Sequence, residues 1–184
     1  MSHPYVRNYF HVIFATKERR ALIKPAFQRD IYDQLRYVAV EYGASVEAIG
    51  GTEDHVHMLL QLPPKLSVAA TVCALKAKSS KWMGDHGHWF AWQSGYGCFT
   101  VSSSVVEAVR EYIGKQEEHH RKRGFVEEFE AILKRHGIER REDGIFVDKQ
   151  TRRSEVAERV EERGISQKRA AGGINTPPGE PHRP

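Results

Sequence analysis

Apolar and β-branched residues crowd into residues 9–15, Tyr-Phe-His-Val-Ile-Phe-Ala, and predict a strand. Phe27, Ile31, Leu35, Val38 and Tyr42 recur every three or four positions, which predicts a helix opened by Pro25 and ended by Gly43. Residues 45–49 read as a short strand, 50–54 as a loop, and 55–62 as a longer strand closed by Pro63 and Pro64. Ser67 caps a second helix carrying Val68, Val72, Leu75 and Trp82. A glycine- and aromatic-rich stretch from Gly84 to Gly97 leads into a strand over residues 98–101. Ser104 and Glu107 have capping-box spacing and start a helix through Val109, Tyr112, Ile113 and Gln116 to about Arg121. A last helix is predicted from Phe125 to His136, stopped by Gly137. The order βαββαβ, followed by helices, predicts an α+β domain: a ferredoxin-like antiparallel sheet with helices on one face, plus a C-terminal helix bearing Tyr112.

Composition divides the 184 residues into a domain, 1–148, and a charged tail, 149–184. The tail has no Phe, Trp or Tyr and ends in a Pro- and Gly-rich run, so it is expected to be disordered, with a charged helix at most over 151–164. It holds eight Lys or Arg against five Glu, a net of +3 out of the whole chain's +4. The domain is thus nearly neutral, and bulk charge says little about its partners. The two cysteines, Cys73 and Cys98, have no Cys-x-x-Cys partner, which excludes a disulfide scaffold and points to packing roles in a reducing, cytoplasmic compartment. No apolar run nears the roughly 18 residues of a membrane helix, and no basic-then-apolar leader is visible, so neither a membrane nor a secretory route is expected.

Chemistry concentrates in two places. Along Asp54-His55-Val56-His57-Met58, side chains alternate between faces. Val56, Met58, Leu60 and Leu62 share an apolar face that belongs under the helices. His55, His57, Leu59 and Gln61 share the other, expected to be open, where two imidazoles are close enough to chelate one cation. The second place is the helix with Tyr112 and, one turn later, Gln116, followed by His119 or His120 on the same face. Val105, Val109 and Ile113 form an adjacent apolar stripe, which Tyr112 would merely extend were it not for the amide beside it. His119 and His120 read as a solvated helix end near the C-terminal dipole. His86 and His88 sit in a loop and read as turn residues.

A His-hydrophobic-His strand followed by a helix with Tyr and, four residues on, Gln resembles the single-tyrosine transposases of the HUH superfamily, the enzymes of the smallest bacterial insertion sequences. The resemblance covers about residues 5–138. It includes residues 11–17 (His-Val-Ile-Phe-Ala-Thr-Lys), 50–57 (Gly-Gly-Thr-Glu-Asp-His-Val-His), 75–82, 92–97, 112–120 and 133–137, in that order. It implies that His55 and His57 bind Mg²⁺ or Mn²⁺ with Gln116 as third ligand. Two imidazoles alone would equally admit Zn²⁺. It implies that Tyr112 is the nucleophile, forming a 5′-phosphotyrosine and freeing a 3′-OH. It implies single-stranded DNA with hairpin ends as substrate, and a homodimer in which Tyr112 docks on the partner's histidines; the alternative is a monomer that completes its site in cis, with Tyr112 folded back on its own histidines.

DNA contacts are expected from Lys76, Lys78 and Lys81, from Lys17, Arg19 and Arg20, and from Trp92 and Tyr96 stacked on unpaired bases. Two rivals compete with a cutting enzyme. A domesticated hairpin-binding protein need not keep His55, His57, Tyr112 and Gln116 together. A metal-dependent phosphodiesterase using only the histidine pair has no use for Tyr112. The His-x-His-x-Asp-His pattern of binuclear hydrolases is absent, because Met58, Leu59 and Leu60 follow His57. A replication or conjugation nickase of the same superfamily usually carries further domains.

Overall fold

The computed structural model describes residues 5–116, 118, 124–140 and 146–148. The chain divides into two compact units, Met1–Phe125 and Val126–Pro184. The tail assigned to 149–184 and the histidine pair His119 and His120 lie outside the described residues.

The first unit is built on a four-stranded antiparallel sheet in the order β2-β3-β1-β4. Its strands are β1 (Asn8–Ala15), β2 (Ser45–Gly51), β3 (His55–Leu62) and β4 (Gly97–Val101). Helix α1 (Gln28–Glu41) connects β1 to β2, and α2 (Val68–Asp85) connects β3 to β4. This is the βαββαβ order read from the pattern. Pro25 lies in a turn ahead of α1 rather than inside its first turn. Ser67 does cap α2, its Oγ accepting from the Ala70 N–H at 3.4 Å.

Val12, Phe14, Val56, Met58, Leu60 and Leu62 point to one face of the sheet and pack with Ile31, Leu35 and Val38 of α1 and Val72, Leu75 and Met83 of α2. Helix α3 (Val106–Gly114) lies against β2 and β3. It buries Ile113 against Ala48 and Leu59, with Val106, Val109 and Tyr112 beside them, on the sheet face opposite α1 and α2. The predicted capping box does not form. Ser102 instead caps a 3-10 turn over Ser103–Val105, and α3 begins after it without a side-chain cap. Helix α3 also ends earlier than the spacing predicts, with Lys115 as its C-cap.

Two features fix α3 on the sheet. A β-bulge shifts the β2–β3 register between Val46 and Ala48, and Glu47 at the bulge accepts from Arg110 of α3 at 2.9 Å. Gly50 belongs to β2 rather than to the predicted loop, and its Cα faces the end of α3 so closely that a Cβ would sit 2.2 Å from the Ile113 carbonyl oxygen. A methyl group there must push the helix end away. We expect Gly50→Ala to cost about 1–3 kcal/mol of stability, the range of an overpacked core, read as a lowered urea midpoint.

Cys98 is half-buried, and burial pushes its thiol up to about 11. Cys73, expected to pack, is exposed instead. Iodoacetamide at pH 8 should therefore label Cys73 well before Cys98, as intact-mass spectrometry with peptide mapping would show.

Helix α4 (Phe125–Arg135) starts at the last residue of the first unit; within the second unit it buries Ile132 and Leu133 and ends where Gly137 takes φ +75°. A short antiparallel ribbon follows, β5 (Ile138–Arg140) with β6 (Phe146–Asp148), which the hydrophobic pattern did not announce. Among the described residues, no helix is long and apolar enough to cross a membrane.

Candidate active site

Strand β3 places its two histidines by parity. Register pairs His55 with Ala15, His57 with Ile13 and Leu59 with His11, so all six stand on the face away from α1 and α2. That face is not open as expected: His55 and His57 are both 0 % exposed, and α3 packs on the same face beside Leu59. Their rings lie 5.1 Å apart at 69°, and each offers a ring nitrogen within 4.8 Å of the other's.

Each imidazole is held through Nδ1. His55 Nδ1 lies 2.7 Å from Asp54 Oδ1 and 3.0 Å from Thr52 Oγ1, and Thr52 donates to the same carboxylate oxygen at 2.9 Å. Asp54 Oδ2 accepts from Arg19 Nη2 at 2.8 Å. Burial alone would raise the Asp54 carboxyl, but hydrogen bonds from His55, Arg19 and Thr52 outweigh it and hold the group well below the usual carboxylate range. His57 Nδ1 lies 2.9 Å from Nε2 of His11, which is itself buried. With both Nδ1 atoms engaged, Nε2 is the atom through which either ring can meet a cation.

The Arg19 contact depends on unusual backbone. Glu18 and Arg19 have φ of 55° and 54°, the left-handed region that costs a non-glycine residue free energy. The segment is zipped to the loop before β3, with Thr16 N–H donating to the Asp54 carbonyl at 2.8 Å and Ile23 N–H to the Glu53 carbonyl at 2.9 Å. The Arg19 guanidinium also lies 4.5 Å over the Phe125 ring, whose centroid is 4.4 Å from that of His55. Several contacts thus converge to hold Arg19 on Asp54, and Asp54 on His55.

Tyr112 reaches the same place from α3. Its ring is 6.1 Å from that of His57 and 6.1 Å from that of His11, edge-on to both. Gln116, buried just beyond α3, lines a cleft of about 440 Å³ together with Gly50, Gly51, Gln28 and Tyr32. Gly50 is the register partner of His57. The structure therefore gathers His55, His57 and Tyr112 on one sheet face, with Gln116 at the neighbouring cleft. The expectation of shared sites put Tyr112 on a partner's histidines; within this chain it stands over its own.

Other expected DNA contacts fare unevenly. Trp92 is a core residue: it is buried edge-on to Phe14 and Phe90, and its indole N–H donates to Ser79 at 2.8 Å. Lys78 pairs with Glu41 at 2.6 Å and Lys81 with Asp85 at 2.8 Å. Lys76 donates to the carbonyls of Gln93 and Gly95. Arg19 belongs to the Asp54 cluster. Tyr96 stays exposed, and so does Trp89, with the Arg20 guanidinium 4.9 Å over its ring. His86 bonds the Trp82 carbonyl and His88 stacks on Phe27, as turn residues do.

Residues 5–116 match the family model described as "Transposase IS200 like". The chain belongs to the IS200-like transposase family. It is 30 % identical over 115 residues to the transposase for insertion sequence element IS200 of Salmonella typhimurium, covering 58 % of this chain and 75 % of that one. It is 27 % identical over 120 residues to the ISDra2 transposase TnpA of Deinococcus radiodurans, covering 58 % and 82 %. Among solved structures, a putative transposase from Deinococcus radiodurans R1 superposes with a TM-score of 0.51 at 29 % identity, over 63 % of this chain and 96 % of that one. A REP-associated tyrosine transposase bound to a REP hairpin also superposes at 0.51, over 69 % and 75 %, and at 14 % identity shows the shared fold alone.

Proposed function

We propose that this transposase binds single-stranded DNA through hairpins at the ends of its element, then cuts and rejoins the strand through a phosphotyrosine on Tyr112. The observation that carries this reading is the convergence of His55, His57 and Tyr112 on one buried sheet face. A protein that only bound hairpins would not need a phenol set against paired imidazoles. A phosphodiesterase would not need the phenol at all.

The donor set fits a divalent cation: two buried imidazoles, each oriented by a second partner, with the Gln116 amide at the adjoining cleft. In this reading His55 and His57 hold Mg²⁺ or Mn²⁺, with Gln116 as third ligand. When bound, such an ion supplies Lewis-acid polarisation of the scissile phosphate. The chain's own residues do the rest. The Asp54–Arg19 clamp fixes the His55 ring. Helix α3, seated on Gly50, sets the Tyr112 ring edge-on to that of His57, and from there its hydroxyl would attack the phosphorus. Tyr112 gives up its proton to solvent and attacks, the P–O bond to the 3′ oxygen breaks, and that oxygen takes up a proton from solvent and leaves as a 3′-OH. The phosphotyrosine keeps the bond energy, so a 3′-OH can displace Tyr112 and rejoin strands without ATP.

The same reading makes the active species a cytoplasmic homodimer whose chains each complete their own site. The edge strands β2 and β4 offer backbone for association, and sedimentation tests it. For the reaction, 5′-labelled single-stranded DNA bearing the hairpins that flank the gene should be cut in Mg²⁺ or Mn²⁺ and left intact in EDTA. Cutting at an undiminished rate in EDTA would remove the metal from the mechanism.

A further inference from the structure

We propose that His11 is a positioning residue that holds His57 as its Nδ1–H tautomer, with Nε2 left to coordinate. This rests on the reading that His57 is a metal ligand.

His11 lies on β1, on the same sheet face as His57, its own pair with Leu59 standing two register pairs along from the Ile13–His57 pair. It is 7 % exposed, and its Nε2 stands 2.9 Å from His57 Nδ1. One proton occupies that bond, carried by one ring or the other. If His11 donates, His57 must carry its own proton on Nε2, and the lone pair a cation needs is lost. If His57 donates from Nδ1, His11 accepts and Nε2 of His57 keeps its lone pair. Only the second arrangement makes a ligand.

The two histidines are then oriented by different chemistry. His55 donates to a carboxylate, Asp54, whose charge Arg19 offsets. His57 donates to a neutral imidazole. A second carboxylate in place of His11 would fix the ring equally well, but would set an uncompensated negative charge on the face where a phosphate must approach. His11 orients without adding charge. Its ring also meets Tyr112 edge-on at the same 6.1 Å as that of His57, so moving His11 disturbs the support of both groups.

The test is the ¹⁵N ring spectrum of the metal-free full-length protein, with His57 assigned by its absence in His57→Gln. The wild type should show His57 protonated at Nδ1. His11→Ala should move it toward the Nε2–H form and weaken Mn²⁺ binding, measured by electron paramagnetic resonance, by about 10–100-fold. His11→Gln, whose amide oxygen can accept from Nδ1–H, should recover most of both. A wild-type His57 protonated at Nε2, or a folded His11→Ala protein that keeps Nδ1–H, would overturn the assignment. If His11→Ala does not fold, the wild-type and His11→Gln spectra still decide. A wild type that binds no Mn²⁺ would remove the metal reading instead, while the spectrum would still judge the His11–His57 bond.

Discussion

Tyr112→Phe should abolish the covalent protein–DNA adduct while hairpin binding changes by no more than about threefold. The substitution removes one hydroxyl and no charge. The ring itself stays, and with it the packing beside Ile113, Leu59 and Ala48 that seats α3 on the sheet. Its edge-on contacts with His11 and His57 also survive, because they are made by the ring. The fold and the histidine pair should therefore be intact, and loss of the adduct would reflect loss of the nucleophile. Denaturing electrophoresis with labelled hairpin DNA reads the adduct, and a native gel-shift reads binding. A slow-migrating adduct that survives in Tyr112→Phe would sink the assignment of Tyr112. Loss of binding together with the adduct would show that the hydroxyl serves the fold or the DNA interface.

The parts of this site that were legible in the sequence are those set by strict alternation. Val56, Met58, Leu60 and Leu62 leave no doubt which face of β3 meets the helices, so the side shared by His55 and His57 follows. Their burial does not follow, because it depends on α3 lying across that face. The feature that admits α3 is a missing side chain at Gly50, and a Gly-Gly pair reads as a loop when only local preference is consulted. His11 was hidden for a related reason. Both faces of β1 are covered, so its residues show no apolar–polar alternation, and a histidine among Tyr9, Phe10, Ile13 and Phe14 stands out in neither parity. Arg19 could be seen only as a surface cation, since its reach to Asp54 needs two consecutive left-handed residues that no composition rule expects. Trp92 illustrates the opposite error. An aromatic in a Gly-rich loop suggests a stacking platform, yet the loop runs back along the end of β1, with Gln93 N–H bonded to the Ala15 carbonyl, and carries Trp92 into the core.

His57→Ala and His55→Ala should each stop cleavage, and mixing His57→Ala with Tyr112→Phe should not bring it back. The first part follows from the donor set: one imidazole cannot replace the pair, and losing either leaves its Nδ1 partner, Asp54 or His11, without the ring it holds. Because both rings are buried, the variants also leave small cavities. A stability loss of about 1–3 kcal/mol should accompany them, and melting curves must show folded protein before activity is judged. The second part follows from where Tyr112 stands. Its ring lies 6.1 Å from that of His57 in the same chain, and α3 is held there by Ile113 over Gly50 and by Arg110 on Glu47. If each chain completes its own site, a mixed dimer has one site without His57 and one without the Tyr112 hydroxyl, and both are dead. If α3 instead crossed to the partner, one mixed site would regain both histidines from the Tyr112→Phe chain and its tyrosine from the other. Cleavage recovered in a heterodimer verified by differential tags would therefore show that α3 leaves the position it holds in the single chain. It would make the Gly50 contact a resting place for α3 rather than its working one.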